Sequence, residues 1–277
     1  LTPMFTADAI VFAIRELGNK ELAVLLWAEY HQYTTNNQTV LNKSNSHPVT
    51  VGGRIDGWAV DAFGDTVAFC TYSPAGDTGY GLGSVILSID GGKTYLEVLR
   101  VESTPLFDSV KGTTHFHGLF IDSYRETIFL LVGDYELNSN VTGKILVLKN
   151  YKTNNTWEIL PKNFVDASTE QYCTGIVVDE KTILFGTDMH ETCVARMAIG
   201  EKGFNTPREA ATPINIGLDF VPNFTRAVEP NAPIGIHYSK TSGNIPSSIY
   251  LTKDGFNFAK IYTDTVPHGN FANNNAR

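Results

Sequence analysis

The chain has 277 residues, a formal net charge of -8, 24 glycines, 42% hydrophobic residues and only 18% charged ones. That balance describes a globular chain with many turns and excludes a disordered tail or a coiled coil. The acidic charge without any run of Lys or Arg argues against nucleic acid as a partner, and no apolar run reaches the ~20 residues of a membrane-spanning helix, so no membrane insertion is expected.

Taken in chain order, residues 9–14, the turn Gly18-Asn19-Lys20 and residues 22–27 read as the first two strands of an opening unit. Residues 22–30 also carry helical periodicity, but the turn before them favours a strand. Gly57-Trp58-Ala59-Val60-Asp61 is followed by Thr66-Val67-Ala68-Phe69. Gly118-Leu119-Phe120-Ile121-Asp122 is followed by Thr127-Ile128-Phe129-Leu130, and Gly175-Ile176-Val177-Val178-Asp179 by Thr182-Ile183-Leu184-Phe185. A weaker copy opens at Gly235-Ile236-His237-Tyr238, so the glycines stand 61, 57 and 60 residues apart. Each unit is a short apolar strand, an Asp-containing turn and a second strand rich in β-branched and aromatic residues.

A third and a fourth strand follow within the unit: residues 84–88 before 95–99, and 144–148 before 157–160. Four antiparallel strands per repeat is the plan of a propeller blade. The expected fold class is therefore all-β: a single β-propeller domain over residues 1–277, with about five four-stranded blades near 7–50, 54–100, 115–161, 172–215 and 233–263.

Between the third and fourth strands, Ser88-Ile89-Asp90-Gly91-Gly92-Lys93-Thr94-Tyr95 fits the pattern S-x-D-x-G-x-T-aromatic. Asp and Ser accept backbone hydrogen bonds, Gly supplies positive φ, and the aromatic ring plugs the gap between sheets. Asn150 to Trp157 keeps the Thr-Trp end of a decayed copy, and Thr252-Lys253-Asp254-Gly255-Phe256-Asn257-Phe258 is a copy one residue short. These residues resemble the Asp-box (BNR) repeats of sialidase-like propellers, including those in receptor-binding and tailspike proteins of bacteriophages. The turn itself is expected to be a folding device at the end of the blade away from the ligand mouth.

At the opposite end, first strands begin and second strands finish. Arg54 and Asp56, His115 and His117, and Gln171, Tyr172 and Thr174 precede the repeat glycines there. Gly133-Asp134 and Gly186-Thr187-Asp188-Met189-His190 are expected to end the second strands. In a regular strand, residues two apart point the same way, so His115 and His117 can reach one ion or one substrate. The set resembles the His-x-His, Gln and His ligands of propeller oligogalacturonate lyases, which implies a divalent metal held by His115, His117, Gln171 and His190. The alternative is histidines that bond neighbouring loops or contact a sugar directly. In an enzyme, His117, His115, Asp134 and Asp188 are the candidate catalytic groups. Arg54, Asp56, Trp58, Tyr80 and Tyr172 are the candidate substrate contacts, because sugar C–H faces stack on aromatic rings.

Sialidases resemble one another in an arginine triad and an Arg-Ile-Pro element. Here Arg54-Ile55-Asp56 stands in place of the latter, and nothing flanking Arg54, Arg196 and Arg226 supports a triad. Cys70, Cys173 and Cys193 form no C-x-x-C pair and read as buried apolar residues. The chain begins at Leu1, which suggests a processed form or a fragment. The expected function is a glycan-binding propeller with a carbohydrate partner, a receptor-binding or adhesion module at a cell or virion surface. The competing reading is a polysaccharide-active enzyme, either a metal-assisted lyase or a glycoside hydrolase.

Overall fold

The computed structural model describes residues 11–16, 22–26, 29–36, 40–48, 60–70, 83–100, 115–137, 140–160, 172–187, 192–199, 214–218, 223–226, 232–238 and 248–263. Among these there is no helix, and twenty strands form five separate four-stranded antiparallel sheets, each from consecutive stretches of chain. The chain divides into two compact units, Leu1–Ile159 and Leu160–Arg277.

The first unit holds three sheets. The opening sheet is β1 (Val11–Glu16), β2 (Leu22–Leu26), β3 (Glu29–Asn36) and β4 (Val40–Pro48), so the amphipathic stretch from Leu22 is strand and not helix. The second is β5 (Val60–Phe63), β6 (Thr66–Cys70), β7 (Ser84–Ser88) and β8 (Leu96–Arg100). The third is β9 (His115–Asp122), β10 (Thr127–Leu137), β11 (Asn140–Lys149) and β12 (Trp157–Ile159). Central strands β6 and β7 are buried along their whole length, which explains why they read as continuous apolar runs. The outer strand β8 is exposed at Leu96 and buried at Leu99.

Two of these sheets share a core, in which Leu87, Cys70 and Val85 from the second meet Leu119, Ile128 and Leu146 from the third. Direct links reinforce it. Asp61 Oδ2 on β5 accepts the backbone N–H of Ile121 on β9 at 2.8 Å, satisfying a donor on the outer edge of the third sheet. Trp157 donates its indole N–H to the carbonyl of Val98 at 2.9 Å. Within the third sheet the cross-strand rings of Phe120 and Phe129 stack with centroids 4.7 Å apart.

The second unit holds β13 (Tyr172–Asp179), β14 (Thr182–Thr187), β15 (Thr192–Ala198) and β16 (Ile214–Leu218), then β17 (Asn223–Arg226), β18 (Ile234–Tyr238), β19 (Ser248–Thr252) and β20 (Ala259–Thr263). Val178 and Leu184 pack with Phe224, Ile236 and Tyr250 in its core. Here the structure departs from the sequence reading. Gly235 lies in the second strand of the fifth sheet, whose first strand is β17 and begins earlier, at Asn223. Asn223-Phe224-Thr225-Arg226 has one apolar residue, buried Phe224, and so lacks the apolar run that marks the other first strands. In the third sheet, β10 runs on past Gly133-Asp134 to Leu137, because its hairpin with β11 outlasts its pairing with β9.

The turn at residues 88–95 is built as its residue types demand. Asp90 Oδ1 accepts the N–H groups of Lys93 and Thr94, both at 3.0 Å, and Asp90 Oδ2 accepts the Thr94 hydroxyl at 2.6 Å. Ser88 Oγ accepts the N–H of Gly92 at 2.9 Å, and the Tyr95 ring meets Phe69 edge-on. In the shorter turn after β19, Asp254 accepts the N–H groups of Phe256 and Asn257, and the Asn257 amide replaces the Thr94 hydroxyl as the side-chain donor. Gly91 N–H bonds the carbonyl of Asp65 in the β5–β6 turn, and Tyr151 N–H bonds that of Glu126 in the β9–β10 turn. In both sheets the turn between third and fourth strands thus sits beside the turn between first and second, away from the end where β5 and β9 begin.

Candidate functional site

The end where β9 begins is irregular. Ile121, Leu119 and Phe116 face Ile128, Leu130 and Val132 across the ladder, and all six lie in the core shared with the second sheet. Strict alternation from Ile121 and Leu119 would put residue 117 in that core. Instead Gly118 pairs with Leu131 and Phe116 with Val132, leaving His117 without an opposite residue. The extra residue slips the phase, so Phe116 takes the apolar position and the imidazole leaves it. The slip also interrupts the two-residue alternation between His115 and His117 on which their common direction was expected.

A second irregularity lies beside the first. On β10, Val132 pairs with Lys144 and Tyr135 with Thr142, so Gly133 and Asp134 together face the single residue 143. Gly133 pairs with His115 on its other side. The His117 ring, 6% exposed, lies against Gly133 so closely that a β-carbon there would fall inside the imidazole. Paired bulges of this kind bend strands and re-aim side chains, and they recur next to active sites. The sequence reading took Gly133 only as the end of a strand; a glycine closing the apolar run of β10 was the available signal for a close approach.

In the second unit, β13 carries a comparable slip at its start, where Tyr172 pairs with Thr187 and Thr174 with Gly186 around Cys173. The Tyr172 ring is 5% exposed and tilts onto Phe185, with centroids 4.9 Å apart. Arg196 stacks its guanidinium 3.6 Å from the centre of Phe256, in the turn after β19. His115 and Asp134 have their backbone places in β9 and β10. Arg54, Asp56, Trp58, Tyr80, Gln171, Asp188 and His190 lie outside the described residues. Among the described residues no group of three or more His, Cys, Asp or Glu is arranged to hold a metal. Cys70 and Cys173 are both buried, and burial pushes the Cys70 thiol far above its ordinary range.

No protein-family model matches the chain, and neither does any curated protein sequence. Solved structures do resemble it. A sialidase from Trypanosoma rangeli, in complex with the inhibitor DANA, superposes with a TM-score of 0.59 at 9% identity over 93% of this chain and 49% of that one. The chain thus spans about half the length of that sialidase. An α-L-arabinofuranosidase from Fusarium graminearum with an iminosugar inhibitor gives 0.57 at 15% identity, over 97% of this chain and 84% of the other. An α-L-arabinanase from Penicillium chrysogenum complexed with arabinobiose gives 0.55 at 13% identity, over 95% and 84%. The likeness shows the fold: the chain is a β-propeller and its four-stranded sheets are the blades.

Proposed function

We propose that this propeller binds carbohydrate, with ligand contacts in the first unit at the start of β9, supplied by His115, His117 and Asp134. The observation that carries the reading is the likeness in fold to solved propellers that hold arabinobiose or an iminosugar inhibitor. The paired bulges support the location, since they turn a buried imidazole out of the core at the end away from the structural turns. The remaining expected contacts of the first unit, Arg54, Asp56, Trp58 and Tyr80, belong to this reading as further sugar-facing groups, whereas the Tyr172 ring is buried against Phe185 in the second unit.

A role as a receptor-binding or adhesion module of a phage tail or cell-surface protein, outside the cell or on a virion, fits a propeller whose Arg196 stacks on Phe256 in the turn after β19. The turns at residues 88–95 and 252–258 carry the hydrogen bonds that their Asp-box-like sequences call for, which supports descent from such repeats.

The second reading is a polysaccharide-active enzyme. The solved neighbours named above are glycosidases, and His117, His115, Asp134 and Asp188 would supply acid and base groups. A lyase would add a divalent cation, with His115 and His117 as its first-unit ligands, to neutralise a uronate carboxylate. A panel of arabino- and sialo-oligosaccharides and uronate polymers, scored for retention and for released products, separates these readings. Retention without release, lost in His117→Ala, supports the binding module. Release of reducing or unsaturated ends that requires His117 supports the enzyme. No retention and no release across the panel would sink both.

A further inference from the structure

We infer that Gly133 is the positioning residue for His117: the space in which a side chain at 133 would stand is the seat of the imidazole. Cε1, Nε2 and Nδ1 of His117 are the three heavy atoms nearest to a β-carbon built on Gly133, and all three would overlap it. The nearest conflict is therefore with the imidazole itself. The left-handed glycines of the described chain are Gly64, Gly91, Gly92 and Gly255, so backbone conformation does not call for glycine at 133. Glycine in a strand interior loses packing and chain entropy and is found where something must approach the backbone closely.

The two bulges explain why such a seat exists. The slip on β9 takes His117 out of the ladder, so pairing does not fix its direction. The slip on β10 sets Gly133 and Asp134 against one residue of β11 and bends that strand where the ring lies. Gly133 is itself buried, and the ring lies against it. Any side chain at 133 must displace the imidazole, and the displacement changes what the start of β9 presents to a ligand. That last step rests on the proposed function; the seat does not.

The test is a double-mutant cycle of Gly133→Ala, His117→Ala and the double variant, read as urea midpoints, with diethyl pyrocarbonate modification of His117 followed by mass spectrometry. Gly133→Ala is expected to lower the midpoint and to raise the modification rate of His117 several-fold as the ring is expelled from cover. In the His117→Ala background the same methyl group should cost little, because it enters the vacated ring space. If Gly133→Ala does not fold, recovery of folded protein in the double variant is the supporting result and its failure the contrary one. Equal midpoint losses in both backgrounds, or an unchanged modification rate in Gly133→Ala, overturn the seat. Retention on arabinobiose and sialic acid supports, measured on the same proteins, tests the ligand step separately. Unchanged retention within a strongly non-additive cycle removes His117 from the ligand contacts and leaves the seat standing.

Discussion

The indole N–H of Trp157, in the third sheet, donates to the backbone carbonyl of Val98, in the second, across 2.9 Å. The two sheets share no ladder, so this bond and the buried ring around it are part of what joins them. Trp157→Phe keeps most of the ring and loses the donor, and should cost about 1 kcal/mol by urea denaturation. Trp157→Ala also opens a cavity and should cost about 3–5 kcal/mol. Equal losses would mean that the hydrogen bond matters and the packing does not.

Asp61 makes a second link of a different kind, side chain to backbone. Asp61→Asn retains an oxygen for the Ile121 N–H and should be mild. Asp61→Leu leaves that edge donor unpaired under the side chain and should cost about 1–3 kcal/mol. Amide hydrogen exchange at Ile121 gives a local reading: faster exchange is expected in Asp61→Leu and not in Asp61→Asn.

Asp90 is held down to about 2, from an ordinary 3.8, first by the Thr94 hydroxyl, then by the Thr94 N–H, with smaller help from Ser88 and Lys93. Asp254 moves the same way, chiefly through the N–H groups of Asn257 and Phe256. A carboxyl group depressed in the folded state contributes stability that is present above its unfolded value and is lost as pH falls through the folded one. The stability difference between wild type and Asp90→Ala should therefore be flat above about pH 5 and shrink between about 4 and 2. Solvent screens this exposed carboxylate, so the flat difference should be only about 1 kcal/mol. Carbohydrate retention should not change, since the turn lies at the other end of its sheet from the first-strand start.

Glu126 and Gly64 occupy equivalent hairpin turns with φ of 46° and 57°. Open space surrounds a β-carbon at Gly64, so Gly64→Ala isolates backbone strain and should cost about 1 kcal/mol. Glu126→Gly relieves the same strain and gives up only an exposed ion pair with Lys152, so it should be neutral or slightly stabilising in thermal melts. A clear loss in Glu126→Gly would assign real weight to that ion pair.

What the sequence made legible was local. The runs of β6, β7 and β10 announce buried strands because both of their faces meet apolar neighbours. The turn at residues 88–95 can be read from its residues because Asp90 bonds groups only three or four positions away. β17 was illegible because one buried phenylalanine among polar residues gives no pattern. The bulge at His117 was illegible for another reason: it is a property of register between β9 and β10, and the ring meets Gly133, a residue brought beside it only when the two strands pair.

Each ladder is also finished before the next one starts: the strand pairing of the second sheet closes by residue 100 and that of the third by residue 159. For a polypeptide leaving the ribosome, this order means that the donors of a ladder seldom wait for acceptors not yet synthesised. Closing short loops first is also the kinetically cheaper route for a β protein, whose folding is otherwise slowed by pairing distant segments. A nascent chain arrested once residue 159 has cleared the exit tunnel should accordingly resist protease as far back as the second sheet, with Cys70 already shielded from thiol reagents.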